Sequence, residues 1–494
     1  MAITSASNTV PAPSQQVLNT NYLDFTSAAA NSNNWAQQYL PDLMEKEAEV
    51  FGPRTISGFL SKVGAEESMT SDQVIWSEQG RLHLSYTGNV ATTTTVVLTK
   101  EIDGQAVTAG VVDHGVRVND TIIVSNANGV FKCLVTIVNN QTLTVAPYAA
   151  AALTQFADAN ATTILVYGSE YVKGKSYTSA GGGTVADGRG ANEPKFKTFT
   201  NKPIIIKDYY EVSGSDTGRI GWVEITGEEG QSGYLWYLKA EADTRARFND
   251  YLEMAMLEGE KGDTAGTNVV DVAFAMYGAG ANDNNAVGTE GLFAAVQSRG
   301  NITSGITGVN AATDLAEFDL ILAEFDKQGA IEENMMFVNR ATSLAMDDML
   351  ASMNSYGAGG TSYGVFDNEE DMALNLGFSG FRRGSYDFYK SDFRYLNDKA
   401  TRGGINAAAG ANAIRGIMIP AGTSTVYDQQ LGKNLKRPFL HTRYRASQTD
   451  NRKMKTWVTG SVGASTSALD AMQLHMLSER CLVTQGANNF MLLK

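Results

Sequence analysis

The stretch with the most overt chemical pattern is TTILVYGSEYVKGKSYTSAGGG, residues 162–183. An apolar, β-branched run from Thr162 to Val166 leads to a glycine, and Gly174-Lys175-Ser176 follows, the ending of a phosphate-binding P-loop. In G-x-x-x-x-G-K-[ST] the short loop wraps the phosphates with its backbone N–H groups, so its length is part of the chemistry. Here five residues separate Gly168 from Gly174, which is too many. A P-loop must also open into a helix whose N-terminus faces the phosphates, whereas SYTSAGGGTVADGRGANEP opposes helix formation. Glu170 adds negative charge where a phosphate would sit. The stretch therefore reads as a flexible loop with exposed lysines.

Other chemical patterns fail in similar ways. Asp283-Asn284-Asn285 imitates the start of a calcium loop, but Val287 and Ala294 stand where ligand oxygens are required. His83, His114, His441 and His475, with Cys133 and Cys481, form no metal-ligand spacing and no disulfide framework. Neither cysteine sits in a nucleophile motif. The acid pairs Asp347-Asp348 and Glu369-Glu370 carry no geometric information by themselves. The expectation is a chain that is not an enzyme and holds no cofactor and no metal.

One charged segment stands apart. Acids outnumber bases 53 to 39 over the chain, for a net charge of −14, which argues against general coating of nucleic acid. Between Lys433 and Lys455, however, lie Lys433, Lys436, Arg437, Arg443, Arg445, Arg452, Lys453 and Lys455 against the single acid Asp450. With Phe439, Tyr444 and Trp457 interleaved, the run suits nonspecific contact with nucleic-acid phosphates. It suits better a basic subunit interface meeting the acidic remainder of a neighbour, and that reading is preferred.

The elements that must carry these residues are various. The 494 residues allow two to four domains. MAITSASNTVPAPSQQ lacks the positive start and apolar core of a secretory signal, and no apolar run approaches a membrane span. The chain is expected to be soluble, made in a reducing compartment and free of membrane contact. Residues 1–30 read as an extended polar arm. A partly amphipathic helix follows around Trp35, and QVIWSEQGRLHLSYTG alternates like a hairpin around Val74, Trp76, Leu82 and Leu84. Residues 91–166 carry short strands with turn signals at Asn128-Gly129 and Asn139-Asn140, which suggests a small inserted β-barrel or sandwich.

Beyond Pro203 the texture firms. GYLWYLKAEADTRARFNDYLEMAMLEGEKG predicts one helix of about 28 residues, a rod of roughly 42 Å. Its Arg245 and Arg247, with Asp243 and Asp250, read as a solvated or subunit-facing surface. TDLAEFDLILAEFDKQG predicts a helix capped by Thr313 and stopped at Gly329, with a stripe of Leu315, Phe318, Ile321, Leu322 and Phe325. MMFV, Met335 to Val338, reads as a strand and ATSLAMDDMLASM as another helix. The C-terminal part returns to strands in PFLHTRYRA, KMKTWVTGSV and the run through MQLHMLSERCLVTQGANNFMLL. Parts that reach beyond their own core suit a repeating assembly better than a monomeric enzyme.

On IIIKDYYEVSGS, GWVEI, WYLKAEADTRARFNDYLEMAMLEGE, EFDLILAEFDKQGAIEENMMFVN and LSERCLVTQGANNF, the chain resembles the major capsid proteins of tailed bacteriophages, most closely the crAss-like phage group. The resemblance implies an α+β, Hong Kong 97-type fold. It implies an N-terminal arm over 1–30, an N-terminal helical segment over 31–70, and an extended loop over 71–90 and 167–203 that carries the inserted β domain, 91–166. It further implies a peripheral domain over 204–262 and 436–494 around a spine helix, and an axial domain over 263–435. Partners implied are other copies in hexamers and pentamers, portal and decoration proteins, and packaged DNA; the implied location is the virion. Trp35, Trp76, Lys173, Lys175, Arg245, Arg247, Arg443 and Arg445 are the candidate assembly residues. Lys433, Lys436, Arg437, Arg452, Lys453 and Lys455 are the candidate DNA-facing or interface cations. Two alternatives stay open, another self-associating β-rich surface protein and a nucleotide-binding enzyme using the 162–183 loop.

Overall fold

The computed structural model describes residues 58–60, 65–80, 83–102, 104–150, 152–153, 162–174, 196–217, 224–226, 232–262, 288–329, 331–354, 380–405, 413–421, 423–428, 433–462 and 465–494. Along the chain the strands are β1 (Ala65–Met69), β2 (Val74–Gln79), β3 (Ser85–Thr92), β4 (Thr95–Glu101), β5 (Asp120–Asn126), β6 (Gly129–Asn139), β7 (Thr142–Pro147), β8 (Thr162–Ser169), β9 (Phe196–Asn201) and β10 (Ile204–Ser213). Two short strands, β11 (Glu224–Thr226) and β12 (Ser232–Tyr234), pair with each other ahead of helix α1 (Leu235–Glu258). Then come α2 (Leu292–Arg299), β13 (Asn301–Thr303), α3 (Ala311–Gln328), β14 (Glu333–Val338), α4 (Arg340–Asn354), β15 (Gly380–Arg383), β16 (Tyr386–Asp392), β17 (Gly416–Pro420), β18 (Thr423–Asp428) and β19 (Lys433–Pro438). The chain closes with β20 (Leu440–Arg445), β21 (Lys455–Gly460), β22 (Ala471–Thr484) and β23 (Met491–Leu493). Mixed sheets with helices packed on their faces make this an α+β protein.

The chain divides into two compact units, one formed by residues 1–74 with 201–494 and the other by 75–200. In the first, a sheet runs β1-β20-β22-β10, with β21 also paired to β22. Helix α1 covers one face of this sheet through Phe248 and Leu252, which pack with Met476 of β22 and Ile206 of β10. The second sheet runs β13-β23-β17-β14-β16-β15, and its central strands β23, β17 and β14 are largely buried on both sides. Strand alternation explains how. Met336, Val338, Met418, Met491 and Leu493 face the core made with α3 and α4, while Phe337, Ile417, Ile419 and Leu492 face the core that holds Met256, Leu292, Leu440 and Leu482.

The end of α1 is set by a close backbone crossing. Gly291 N donates to Gly259 O at 2.8 Å, and a Cβ on Gly259 would lie 2.7 Å from the oxygens of both Ala255 and Thr289. Only glycine lets the two segments approach this closely. Helix α3 carries its expected stripe, with Phe318, Ile321 and Phe325 buried and Leu315 and Leu322 partly so. Its cap differs from expectation: Asn310, not Thr313, accepts a hydrogen bond from Ala312 N, while Gly329 ends the helix at φ 64°. The Asn310 side chain reaches the free N–H in the first turn, which is what an N-cap does.

The second unit contains a closed barrel, β3-β4-β7-β6-β5-β8. Its interior is filled by Val90, Val96, Leu98, Ile122, Val124, Val135, Leu143, Val145 and Ile164, all buried. The β6–β7 turn is built on Asn140 at φ 51°, a left-handed position that asparagine tolerates. Strands β3 and β8 are themselves barrel strands, so the barrel extends beyond the 91–166 segment at both ends. The expected hairpin around residues 74–84 does not form. β2 pairs instead with β9, far along the chain, and β3 pairs with β4 and β8.

Two other segments differ from the sequence reading. Residues 65–69, inside the expected N-terminal helical segment, form β1 in the first sheet. Residues 491–493, expected in the peripheral part with 436–494, join the second sheet by pairing with β13 and β17.

Candidate assembly surfaces

Strand β1, sequence AEESM, has little intrinsic reason to be a strand. It runs parallel to β20 in a register that sets Glu67 against Arg443 and Met69 against Arg445. Its acids then meet the cations of the basic run. Arg443 pairs with Glu67 at 2.7 Å, Lys453 pairs with Glu66, and Arg445 pairs with Asp72 just beyond the strand. On the neighbouring β22, Glu479 takes Arg445 at 2.9 Å and Arg452 at 2.7 Å. Lys455 closes back on Asp450 at 2.9 Å.

The five cations of the run whose side chains are described, Arg443, Arg445, Arg452, Lys453 and Lys455, are thus all in ion pairs within this chain. The picture of a bare positive stripe against one acid is corrected here, because most of the compensating acids come from β1, β22 and Asp72, which lie far away in sequence. Lys433, Lys436 and Arg437 lie on β19, with their side chains outside what is described.

The other candidates are dispersed. Trp35 and Lys175 fall outside the described residues. Trp76 is buried at 7% exposure in β2, its Nε1 donates to Glu78 Oε1 at 2.9 Å, and its ring lies 6.2 Å from Phe199 of β9. It staples the β2–β9 ribbon instead of presenting a ring to solvent. Lys173 is exposed, next to Gly174 at φ 80°. β8 enters that loop as an antiparallel barrel strand, not as the parallel strand of a nucleotide-binding sheet. Arg245 is exposed and holds Glu241 one helical turn back at 2.7 Å, whereas Arg247 ties α1 to β10 through Asp208 at 3.1 Å. Among the described residues no group of His, Cys, Asp and Glu is placed to hold a metal. No described helix is long and apolar enough to cross a membrane.

Two anchoring residues were not visible in the sequence. Asn201, fully buried where β9 ends, donates to the carbonyls of Glu290 at 3.0 Å and Leu482 at 2.6 Å. Its Oδ1 accepts from Lys202 N, Thr289 Oγ1 and Glu290 N. Glu253 on α1 accepts from Gly58 N at 3.1 Å and Leu60 N at 3.2 Å, while Phe59 stacks on Phe393 and meets Phe337 edge-on. Burial pushes the Glu253 carboxyl above its ordinary value, against the opposing pull of those two N–H groups and Arg480. An isolated asparagine and a helical glutamate leave no local signal of these roles.

No protein-family model matches the sequence, and no curated protein matches it. Among solved structures, the capsid of cyanophage P-SCSP1u is similar over 93% of this chain and 93% of its own, at 7% identity and a TM-score of 0.39. The mature capsid of bacteriophage PhiM1 is similar over 92% of each chain, at 9% identity and a TM-score of 0.36. The capsid of a native GTA particle is similar over 95% of this chain and 99% of its own, at 9% identity and a TM-score of 0.37.

Proposed function

We propose that the chain is a structural shell protein, the major capsid protein of a tailed phage, which self-assembles into an icosahedral head around double-stranded DNA. The supporting observation is the order of parts. A two-stranded ribbon, β2 with β9, leaves and rejoins the first unit and carries a separately cored barrel on the chain between them. It is followed directly by sheet strand β10, then the long helix α1, a second sheet with α3 and α4, and a return to the first sheet through β20 and β22. This is the sequence of parts that the Hong Kong 97-type resemblance implies, with the crAss-like group the nearest in pattern.

In this reading the β2–β9 ribbon is the extended loop, the sheet under α1 the peripheral domain, and the second sheet the axial domain that clusters at five- and sixfold centres. Residues 1–30 are the arm. Each subunit buries several thousand Å² in obligate contacts, about the range of permanent assemblies. Portal and decoration proteins are further partners, and packaged DNA touches the inner wall nonspecifically. Lys173 and Lys175 belong to a bending arm, and the role of the subunit is mechanical, not catalytic.

Sedimentation of the purified full-length chain, with negative-stain microscopy of the fast fraction, tests this. Closed uniform shells or regular capsomers are expected. Fibres or polydisperse aggregates favour an adhesive β-rich surface protein. A monomer at high concentration that binds ATP, and loses it on Lys175→Ala, overturns the shell reading in favour of a nucleotide-binding enzyme.

A further inference from the structure

The face of the first sheet opposite α1 is organised in rows. Residues directly opposite on antiparallel strands share a face. Across β10, β22 and β21 the register aligns Tyr209, His475 and Trp457. The three rings form a stack, with Tyr209 to His475 at 6.0 Å and 28° and His475 to Trp457 at 5.2 Å and 18°. Tyr209 is 57% exposed and Trp457 36%.

Flanking this stack on one side, Lys207, Leu477 and Lys455 are aligned, and on the other Glu211, Gln473 and Thr459. Lys207, Lys455 and Glu211 are exposed. Lys455 already holds Asp450, and Gln473 Nε2 donates to Glu211 Oε2 at 2.7 Å. Lys207 has no ion-pair partner among the described residues. The face therefore has a basic edge and an acidic edge, about 14 Å apart at the rise of an antiparallel strand, with a row of aromatic rings between them.

We propose that this face is a twofold contact with a second copy of the chain, with the axis running along the ring row. The charges select that axis. A twofold along β10 sets Lys207 over Lys207 and Glu211 over Glu211, and one along β22 sets Lys207 over Lys455. A twofold along the ring row sets Lys207 over Glu211 of the partner subunit, twice, and lays the Tyr209–His475–Trp457 stack against its own copy. A self-complementary patch of this kind is what an isologous contact requires. The rings supply the desolvated centre and the charges the orientation. The patch comprises nine residues on three strands, against the roughly 20–30 residues a side of a stable interface. It is thus a weak contact that gains strength inside a larger assembly. The inference does not depend on the shell reading, because a free dimer would satisfy it as well.

The test uses the full chain with Tyr209→Cys, since a residue on the axis meets its own copy. Cys133 and Cys481 are both buried and do not compete. Under mild oxidation Y209C is expected to form a disulfide-linked dimer faster than a control, V309C, at a residue that is 83% exposed and off this face. In the Y209C background, K207E and E211K are each expected to slow cross-linking about tenfold, and the double reversal to restore it. Circular dichroism checks that each variant is folded, as expected for substitutions at exposed positions. Cross-linking no faster than V309C, or a double reversal as slow as the single ones, overturns the proposal.

Discussion

Glu67 of β1 lies directly opposite Arg443 of β20, and their side chains meet at 2.7 Å. That contact repeats along the edge of the sheet. Glu66, Asp72 and Glu479 hold Lys453, Arg445 and Arg452, so the most basic stretch of the chain is largely neutralised by its own acids. The pairs also explain why β1 exists: a polar five-residue segment becomes a strand because its neighbour supplies cations in register.

The acids in this network are not equal. The Glu479 side chain is 9% exposed and serves two guanidinium groups, whereas that of Glu67 is 26% exposed and serves one. Removing a buried partner leaves uncompensated charge behind. Glu479→Ala is expected to cost about 3 kcal/mol, and Glu67→Ala about 1 kcal/mol. Urea unfolding of the two variants checks the order; equal losses would contradict it.

Glu253 gives the first unit a pH signature. Its folded-state carboxyl is held above the ordinary value of 4.5 by burial. A raised carboxyl contributes stability that is fully present below its unfolded value and is lost as pH rises through its folded value. Glu253→Gln lacks that titration and keeps one oxygen for Gly58 N or Leu60 N. The stability of E253Q relative to the parent chain should therefore rise between pH 4 and neutrality, about as a single-group titration would give. Denaturation at a series of pH values measures it, and a flat difference would show that the carboxylate is not desolvated as the structure places it.

Much of the architecture was legible locally. The α3 stripe, the run of α1, and the turn at Asn139-Asn140 follow from periodicity and turn chemistry, because each is decided by residues close in sequence. What failed was decided at long range. VIWSEQ and SYTGNVAT alternate well enough to be a hairpin, but β2 finds its partner in β9 and β3 closes a barrel. The basic run looked bare because Glu66, Glu67, Asp72 and Glu479 are distant along the chain. The Tyr209–His475–Trp457 row exists only in the register of three strands.

The two thiols should be inert in the folded chain. Burial pushes Cys133 up to about 11 and Cys481 up to about 12, the latter despite the opposing charge of Arg443. Only the thiolate reacts readily. Titration with an aromatic disulfide at about pH 8 should find neither thiol before denaturation and both after it. Early reaction of Cys481 would mean that β22 opens without global unfolding.

The barrel should stand alone. Its six strands close on themselves, and its core residues all come from within 84–170. The chain enters through β3 and leaves through β8, which are neighbours, and Val166 N donates to Leu84 O at 3.0 Å where the two ends meet. A closed barrel with adjacent ends can be carried on a ribbon without sharing its core with the carrier. A fragment spanning residues 83–171 is expected to fold and to melt in one cooperative transition. A fragment limited to 91–166 removes most of β3 and the end of β8, so it opens the barrel and uncovers Val96 and Leu98 of β4 and Ile164 of β8, the strands that flank β3. It should be unfolded or aggregated. Amide-resolved NMR of the two fragments distinguishes them. If the shorter one is dispersed and the longer one is not, the barrel does not close through β3 and β8.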